Sequence, residues 1–352
     1  MKKEKILMTG NEAIAQGALD AGCRFYAGYP ITPQNEIPSF MSTHMPDSGG
    51  VFIQAESELA AINMVYGAAA CGARAMTSSS SPGISLKQEG ISYLAGAQLP
   101  AVIVNIMRAG PGLGNIWPAQ SDYFQATRSG GHGDYHCIVI APSSVQEAYD
   151  FMYLGFDLAD KYRNPVMILG DGTLGQMMEP LIRPQTVDCR PQAYEKPWAL
   201  TGCKGRARNI VKSFHLKEGD LEILNLSLQK KYKIIQEKEQ KFEGLYLDDA
   251  QIILVAYGTM ARIAKSVVSK LRDKGKKIGL IRPISLWPFP VKAFNRSTVY
   301  GLRSKYLVIE MSYGQMVEDV QLAVNGKAKI DFLGRSGGGV PSEEEIIRSC
   351  KF

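Results

Sequence analysis

An α/β architecture with two open parallel-sheet domains is what this sequence predicts, and three observations carry the prediction. Over residues 1–185, short apolar runs alternate with helical patterns, and strands covered on both faces read as such runs. Over residues 186–248 the strand pattern stops: prolines cluster at 180–197, and a charged helical stretch, EGDLEILNLSLQKKYKIIQEKEQKFEG, follows. Over residues 249–352 the alternation restarts. The chain of 352 residues is long enough for two α/β domains, at 1–185 and 249–352, with a connector at 186–248 that packs a long helix on the surface. Hydrophobic residues make up 45% and charged ones 21%, which suits a globular protein with a large core.

The elements follow in order. Asn11 is placed to cap EAIAQGALDAG, whose Ala13, Ile14, Ala18 and Leu19 share one face. RFYAGYP reads as a short strand ending in a proline-bounded loop. VFIQA is a strand, ELAAINMVYGAAACG a helix, ARAMTSSS a strand, and Ser85–Gln98 a helix. PAVIVNIMR and HCIVIAP are apolar strands; VQEAYDFMYLGFDLADKY is a helix and NPVMILGD the last strand of the first domain. The second domain reads QIILVAYG strand, ARIAKSVVSKLRDKG helix, KIGLIRP and KYLVIEM strands, and a helix near GQMVEDVQLAV. GRSGGGVP is a glycine-rich loop before a capped terminal helix, SEEEIIRSC. No internal repeat or low-complexity segment is visible.

Composition narrows the function. No apolar run reaches the 18 residues of a membrane span. MKKEKILMTGNEA lacks the apolar stretch of a secretory signal, so a cytoplasmic protein is expected. None of the six cysteines (Cys23, Cys71, Cys137, Cys189, Cys203, Cys350) forms a CxxC pair, which argues against a cluster or zinc site and for buried free thiols. Net charge is +6, with many basic residues in 204–241 but no interleaved stacking aromatics. That pattern suits a solvated surface or subunit contact, not nucleic acid.

The chemistry-bearing residues sit at predicted strand ends and helix starts. Glu56 and Glu58 stand at the mouth of an Ala-rich helix with little to solvate them, and a carboxylate there is costly unless something uses it. The competing structural role is a first-turn glutamate complementing the helix dipole. Tyr29-Pro30-Ile31-Thr32-Pro33 is a stiff loop that presents a hydroxyl, or a Thr cap before a helix-starting proline. Arg108 follows an apolar strand, where open α/β sheets place ligands, and a local surface pairing is the alternative. The glycine-rich run behind it carries Asn115, Gln120, Asp122 and His132. Ser78–Ser81 with Pro82-Gly83 join a strand to a helix start that suits an anion or a polar ring edge. Lys87 interrupts an apolar helix face.

GYPITPQNEI together with QAESELAAINMVYGA, GPGLGN, QSDYFQAT, GGHGDY and KYRNPVMIL resembles the amino-terminal part of the α subunit of 2-oxoacid:ferredoxin oxidoreductases. AYGTMARIAKS, GLIRPISLWPFP, EMSYGQMVEDVQLAV and GRSGGGVP resemble its carboxy-terminal part. The resemblance implies a thiamine-diphosphate pyrimidine-binding domain followed by a transketolase C-terminal-like domain. Branched-chain enzymes acting on 2-oxoisovalerate give the nearest pattern, with 2-oxoglutarate enzymes next.

It also implies oxidative decarboxylation of a 2-oxoacid with coenzyme A, giving acyl-CoA, carbon dioxide and reduced ferredoxin. By resemblance, Glu58 bonds the cofactor's pyrimidine N1′, Thr32 faces substrate or the reactive face, and Arg108 grips the substrate carboxylate. Tyr29, Pro30, Ile31 and Ser81 complete the expected cofactor-binding set. Position 87 is more often Met in the family. Gly170-Asp171-Gly172 imitates a Mg²⁺/diphosphate motif, but no Asn lies between Asn164 and Asn209 to complete it. The chain is therefore expected to hold no metal. A β subunit would bring Mg²⁺ and the diphosphate site, and a small ferredoxin-like subunit the iron–sulfur clusters. A scaffold with a decayed site, or a stand-alone transketolase-type enzyme, are the other readings.

Overall fold

The computed structural model describes residues 5–183, 194–295 and 305–351. The first part runs β1 (Lys5–Thr9), α1 (Gly10–Asp20), β2 (Phe25–Gly28), α2 (Glu36–His44), β3 (Val51–Gln54), α3 (Glu58–Ala70) and β4 (Ala75–Ser79). It continues with α4 (Ser81–Gly96), β5 (Ala101–Met107), α5 (Tyr123–Thr127), β6 (Ile138–Ile140) and α6 (Val145–Tyr162), then β7 (Pro165–Asp171), α7 (Gly172–Gln176) and β8 (Met178–Ile182). A long helix, α8 (Asp220–Lys238), leads to β9 (Phe242–Leu245), β10 (Ile252–Val255), α9 (Gly258–Arg272), β11 (Ile278–Pro283), β12 (Ser285–Trp287) and α10 (Lys292–Asn295). The chain closes with β13 (Lys305–Glu310), α11 (Met316–Val324), β14 (Ile330–Gly334) and α12 (Glu343–Ser349).

Among the described residues the strands form a seven-stranded sheet in the order β12-β6-β7-β5-β4-β2-β3 and a five-stranded sheet in the order β14-β13-β10-β11-β9. Both are parallel except at one edge, β12 in the first and β9 in the second. The predicted two-sheet α/β class holds. The central strands are buried along their whole length, β5 and β7 at every residue, because helices cover both faces. One apolar cluster, around Ile14, Met41 and Phe156, lies on one face of the first sheet; another, around Ile62, Ile103 and Leu94, fills the other face. A third, around Val267 and Ile309, packs the second sheet.

Several local expectations need correction. Thr9, not Asn11, caps α1: its hydroxyl accepts from Glu12 N while Glu12 bonds back to Thr9 N. Asn11 is buried inside the helix and reaches Pro33 O at 2.8 Å. The α4 helix starts at Ser81, four residues before the expected Ser85, because Pro82 suits the first helical turn. The stretch expected to be strand-free ends in β9, which pairs antiparallel with β11 and so belongs to the second sheet. β12, from the second half of the sequence, adds antiparallel to β6 of the first sheet. A two-stranded ribbon of β1 with β8, and the strand β14, were not expected either. Cys71 and Cys203 are exposed thiols, unlike the buried Cys23, Cys137 and Cys350. Cys189 and most of the proline-rich segment lie outside the described residues. The basic stretch from 204 is largely solvated, as expected.

Among the described residues, no helix is long and apolar enough to cross a membrane.

Candidate active site

The sheet order places a reversal of winding at β2 and β4: the chain runs from β2 outward to β3, then returns to β4 and continues to β5. Open α/β sheets bind ligands beyond the carboxyl ends of strands at such a point. The candidate residues stand there. The Tyr29–Pro33 loop follows β2, Glu58 follows β3, Ser80 and Ser81 follow β4, and Arg108 follows β5.

Glu58 is the first residue of α3, and Ser57 caps the helix by accepting from Ala60 N at 3.1 Å. The Glu58 side chain is buried, at 6% exposure, and no hydrogen bond to it occurs among the described residues. Glu56, two residues earlier, is exposed. Opposite Glu58 is the first turn of α4. A Cβ on Gly83 would lie 2.6 Å from Glu58 Oε1 and closer still to Ser79 Oγ, so any other residue there would push both side chains aside. Ser79 Oγ, Ser80 Oγ and Thr77 Oγ1 are buried and unpartnered. A carboxyl with no hydrogen bond stands here close to hydroxyls that have none either, a polar set whose bonding capacity the described residues leave unused.

The β2 loop is pinned from several sides. Tyr26 OH donates to Ser78 Oγ at 2.7 Å, and Ser78 donates to Gln34 Oε1 at 2.5 Å. Gln34 in turn donates to Tyr29 O at 3.3 Å. Asn11 and Gln176 both donate to Pro33 O. Tyr29 and Pro30 are exposed, Ile31 and Thr32 half-buried, and the Thr32–Pro33 peptide is cis. Thr32 Oγ1 accepts from Asn35 at 3.3 Å, which leaves its proton free to donate.

Arg108 is 7% exposed and joins the loops. One terminal nitrogen donates to Thr32 O and the other to Leu113 O, each at 3.0 Å, while Nε has no partner. Two of five donors are therefore spent on positioning, and the remainder are available to a carboxylate. Ser81 is less free than the sequence suggests. Its hydroxyl accepts from Arg108 N at 3.0 Å and donates to Asp122 Oδ2 at 2.6 Å. Asp122 also accepts from Asn105, and burial raises its carboxyl above the usual range.

The remaining candidates separate by position. Gln120 is a rivet between the sheets, donating to Tyr257 O and accepting from Met311 N. Asn115 is exposed and ties the glycine-rich loop to Gly337 O. His132 is exposed beside Ser92, eleven residues along α4 from Ser81, about 16 Å from this end of the helix. Asp171 of the Gly-Asp-Gly run caps α7 through Thr173 N and Leu174 N and accepts from Thr259 Oγ1, so its carboxylate is committed to the fold. Lys87 is fully buried, with Nζ donating to Ser78 O at 3.0 Å. The serine run and Lys87 were visible in the sequence, but their convergence on Glu58 depends on α3 packing against α4. A cavity of about 500 Å³ opens beside Thr32, lined by Pro33, Trp117, Pro118, Gln176 and Gly338.

Two family models match this chain. The thiamine-diphosphate-binding domain of pyruvate flavodoxin/ferredoxin oxidoreductases matches residues 16–208, and core domain II of pyruvate:ferredoxin oxidoreductase matches residues 250–346. The chain belongs to the 2-oxoacid:ferredoxin oxidoreductase family. It is 50% identical, over 98% of its length and 97% of the relative's, to the ketoisovalerate oxidoreductase subunit VorB of Methanothermobacter marburgensis. It is 36% identical over 98% of its length to the 2-oxoglutarate synthase subunit KorA of the same organism, covering 98% of that relative.

A solved 2-oxoglutarate:ferredoxin oxidoreductase from Magnetococcus marinus, with 2-oxoglutarate, coenzyme A and succinyl-CoA bound, superposes with a TM-score of 0.88 at 26% identity. The match covers 99% of this chain and 65% of that one. A split-gene transketolase shares the fold at a TM-score of 0.59. The family is one of multi-subunit oxidoreductases that bind thiamine diphosphate, and the chain is a subunit of that kind.

Proposed function

We propose that this chain is the α subunit of an enzyme that decarboxylates 2-oxoisovalerate oxidatively, with coenzyme A as acyl acceptor and ferredoxin as electron acceptor. The observation that carries the reading is Glu58: a buried carboxyl without a partner, facing orphaned serine hydroxyls at the sheet's switch point. The donor set suits the pyrimidine half of thiamine diphosphate: one carboxyl for a ring nitrogen and hydroxyls for polar ring edges.

When bound, the cofactor supplies the carbon that adds to the carbonyl of a 2-oxoacid. Glu58 holds a proton toward N1′ in a site dry enough for one hydrogen bond to bias the ring. Thr32, fixed by Arg108 and Asn35, offers its hydroxyl proton beside the reacting centre. Arg108 turns its unspent donors to the substrate carboxylate. Tyr29, Pro30 and Ile31, which lead into Thr32 in the loop after β2, are assigned to the cofactor, and Ser81 braces Arg108.

The diphosphate and Mg²⁺ are assigned to a β subunit, because Asp171 is committed to α7 and Thr259. Iron–sulfur clusters are assigned to a small ferredoxin-like subunit and to ferredoxin itself, and the complex to the cytoplasm and branched-chain amino acid catabolism. Support for 2-oxoisovalerate is the 50% identity to the ketoisovalerate subunit against 36% to the 2-oxoglutarate subunit. 2-Oxoglutarate is the second reading, favoured by the solved structure.

The test is reconstitution. The purified chain alone should turn over no 2-oxoacid and bind thiamine diphosphate weakly. With β and ferredoxin-like subunits, activity should appear and be highest with 2-oxoisovalerate among a panel including 2-oxoglutarate, pyruvate and an aryl pyruvate. Turnover by the lone chain would sink the shared-site reading. A preference for 2-oxoglutarate would move the substrate but not the roles. An assembled complex active without thiamine diphosphate, or inactive with every oxoacid, would leave only a scaffold.

A further inference from the structure

The proposed reaction draws no residue from the second domain, yet that domain grips residues 120–124, which follow the Arg108 loop. Gln120 N donates to Met311 O at 2.9 Å, and Tyr123 OH donates to Asp319 Oδ2 at 2.6 Å. Between these ties the Gln315 amide takes the main chain at two points. Its Nε2 donates to Ser121 O at 2.7 Å, and its Oε1 accepts from Phe124 N at 2.8 Å. Asp122 sits inside that bracket. Gln315 is itself fixed, because the fully buried Glu310 carboxyl accepts from Gln315 N, Met316 N and Val317 N at the start of α11.

From the bracket, Asp122 turns back to the first domain. Its Oδ2 accepts from Asn105 Nδ2 at 2.9 Å, on the buried strand β5, and from Ser81 Oγ at 2.6 Å, at the start of α4. The Ser81 hydroxyl has one proton and two acceptors within reach, Asp122 and Arg108 O at 3.0 Å, and the shorter bond to a carboxyl takes it. Ser81 Oγ also accepts from Arg108 N at 3.0 Å. Hydrogen bonds therefore run from Glu310, through Gln315 and the segment it holds, to the backbone of Arg108.

We propose that Gln315 and Asp122 are positioning residues, through which the second domain fixes the backbone at Arg108 and so aims the donors that meet the substrate carboxylate. They act through Arg108 and not on the substrate. Two terminal nitrogens of Arg108 are already spent on Thr32 O and Leu113 O, so the donors that remain point where the backbone sends them. A misplacement of about 1 Å can cost on the order of a hundredfold in rate, and a smaller drift costs less. The arrangement is directional. Gln315 binds main chain on both sides of Asp122, while both Asp122 bonds run to the first domain.

The inference rests on the reading of Arg108 as the grip on the substrate carboxylate. Its test is steady-state kinetics on the assembled complex, with 2-oxoisovalerate varied and coenzyme A and thiamine diphosphate saturating. Gln315→Ala should raise KM for the oxoacid about three- to tenfold, with a smaller fall in kcat. Asp122→Ala should raise KM at least as much. Asp122→Asn, whose amide oxygen still accepts from Ser81 and Asn105, should recover most of that loss. The double variant Gln315→Ala/Asp122→Ala should be no worse than Asp122→Ala alone, because both changes cut one path. Gln315→Ala leaves the bonds among Asp122, Ser81 and Asn105 in place, and covers the case in which Asp122→Ala fails to assemble.

Lower melting temperatures with KM at the wild-type value would overturn the inference, since these bonds would then only hold the domains together. So would additive effects in the double variant, or an Asp122→Asn as impaired as Asp122→Ala. Arg108→Lys separates the two layers. If it leaves KM for the oxoacid unchanged, the reading of Arg108 falls. If it raises KM while Gln315→Ala and Asp122→Ala do not, only the inference about Gln315 and Asp122 falls.

Discussion

Glu58→Gln is expected to leave the complex assembled and to cut its turnover on the order of a hundredfold or more, as for loss of a positioned acid–base group. Glutamine has nearly the same shape, so the close fit of Glu58 Oε1 against Gly83 survives. What it lacks is a titratable proton to hold toward a ring nitrogen. No neighbour can substitute: Ser79 and Ser80 are hydroxyls that cannot take that proton near neutral pH. Glu56→Gln should change turnover by no more than a few-fold, because Glu56 is exposed and its charge is screened. Steady-state rates of the two variants, with assembly checked by size-exclusion chromatography, decide it. The opposite ranking would transfer the role to Glu56.

The contrast between Glu56 and Glu58 shows what the sequence could and could not carry. Both sit before the same Ala-rich helix, and spacing alone leaves either possible. Burial separates them: Ser57 takes the cap and Glu58 turns inward as the first helical residue. The fold class was legible because β5 and β7 are apolar at almost every position, which no amphipathic alternative explains.

The edge strands were not legible. β9 and β12 are short, and what makes them strands is the partner they meet, β11 and β6, from distant sequence. Arg108 shows the same limit at the site. Its place after a strand pointed to a ligand, but its bonds to Thr32 O and Leu113 O depend on two loops that only the folded sheet brings together. His132 went the other way: it shares a glycine-rich segment with Asp122, yet its loop lies against Ser92, toward the far end of α4.

Arg108→Lys is expected to raise KM for the 2-oxoacid about ten- to a hundredfold, the worth of a lost charge-assisted hydrogen bond of roughly 1.5–3 kcal/mol. Lysine keeps the charge but cannot form a planar two-point grip. The substrate carboxylate is present in the ground state and early in the reaction, so its loss falls mainly on KM. The structure adds a second effect. A lysine ammonium cannot span Thr32 O and Leu113 O as the guanidinium does, so the Thr32 loop loses one of its ties. Asn11, Gln176 and Gln34 still hold that loop, so the accompanying fall in kcat should be smaller than the rise in KM. Thiamine diphosphate affinity should hardly change, because Arg108 meets the serine turn facing Glu58 through its own backbone N–H and carbonyl on the Ser81 hydroxyl, which the substitution leaves in place. Kinetics on the reconstituted complex and calorimetric cofactor titration separate the cases. An unchanged KM with weakened cofactor binding would reassign Arg108 to the cofactor. A fall in kcat alone, with KM and cofactor affinity intact, would make it a brace for Thr32 and no more.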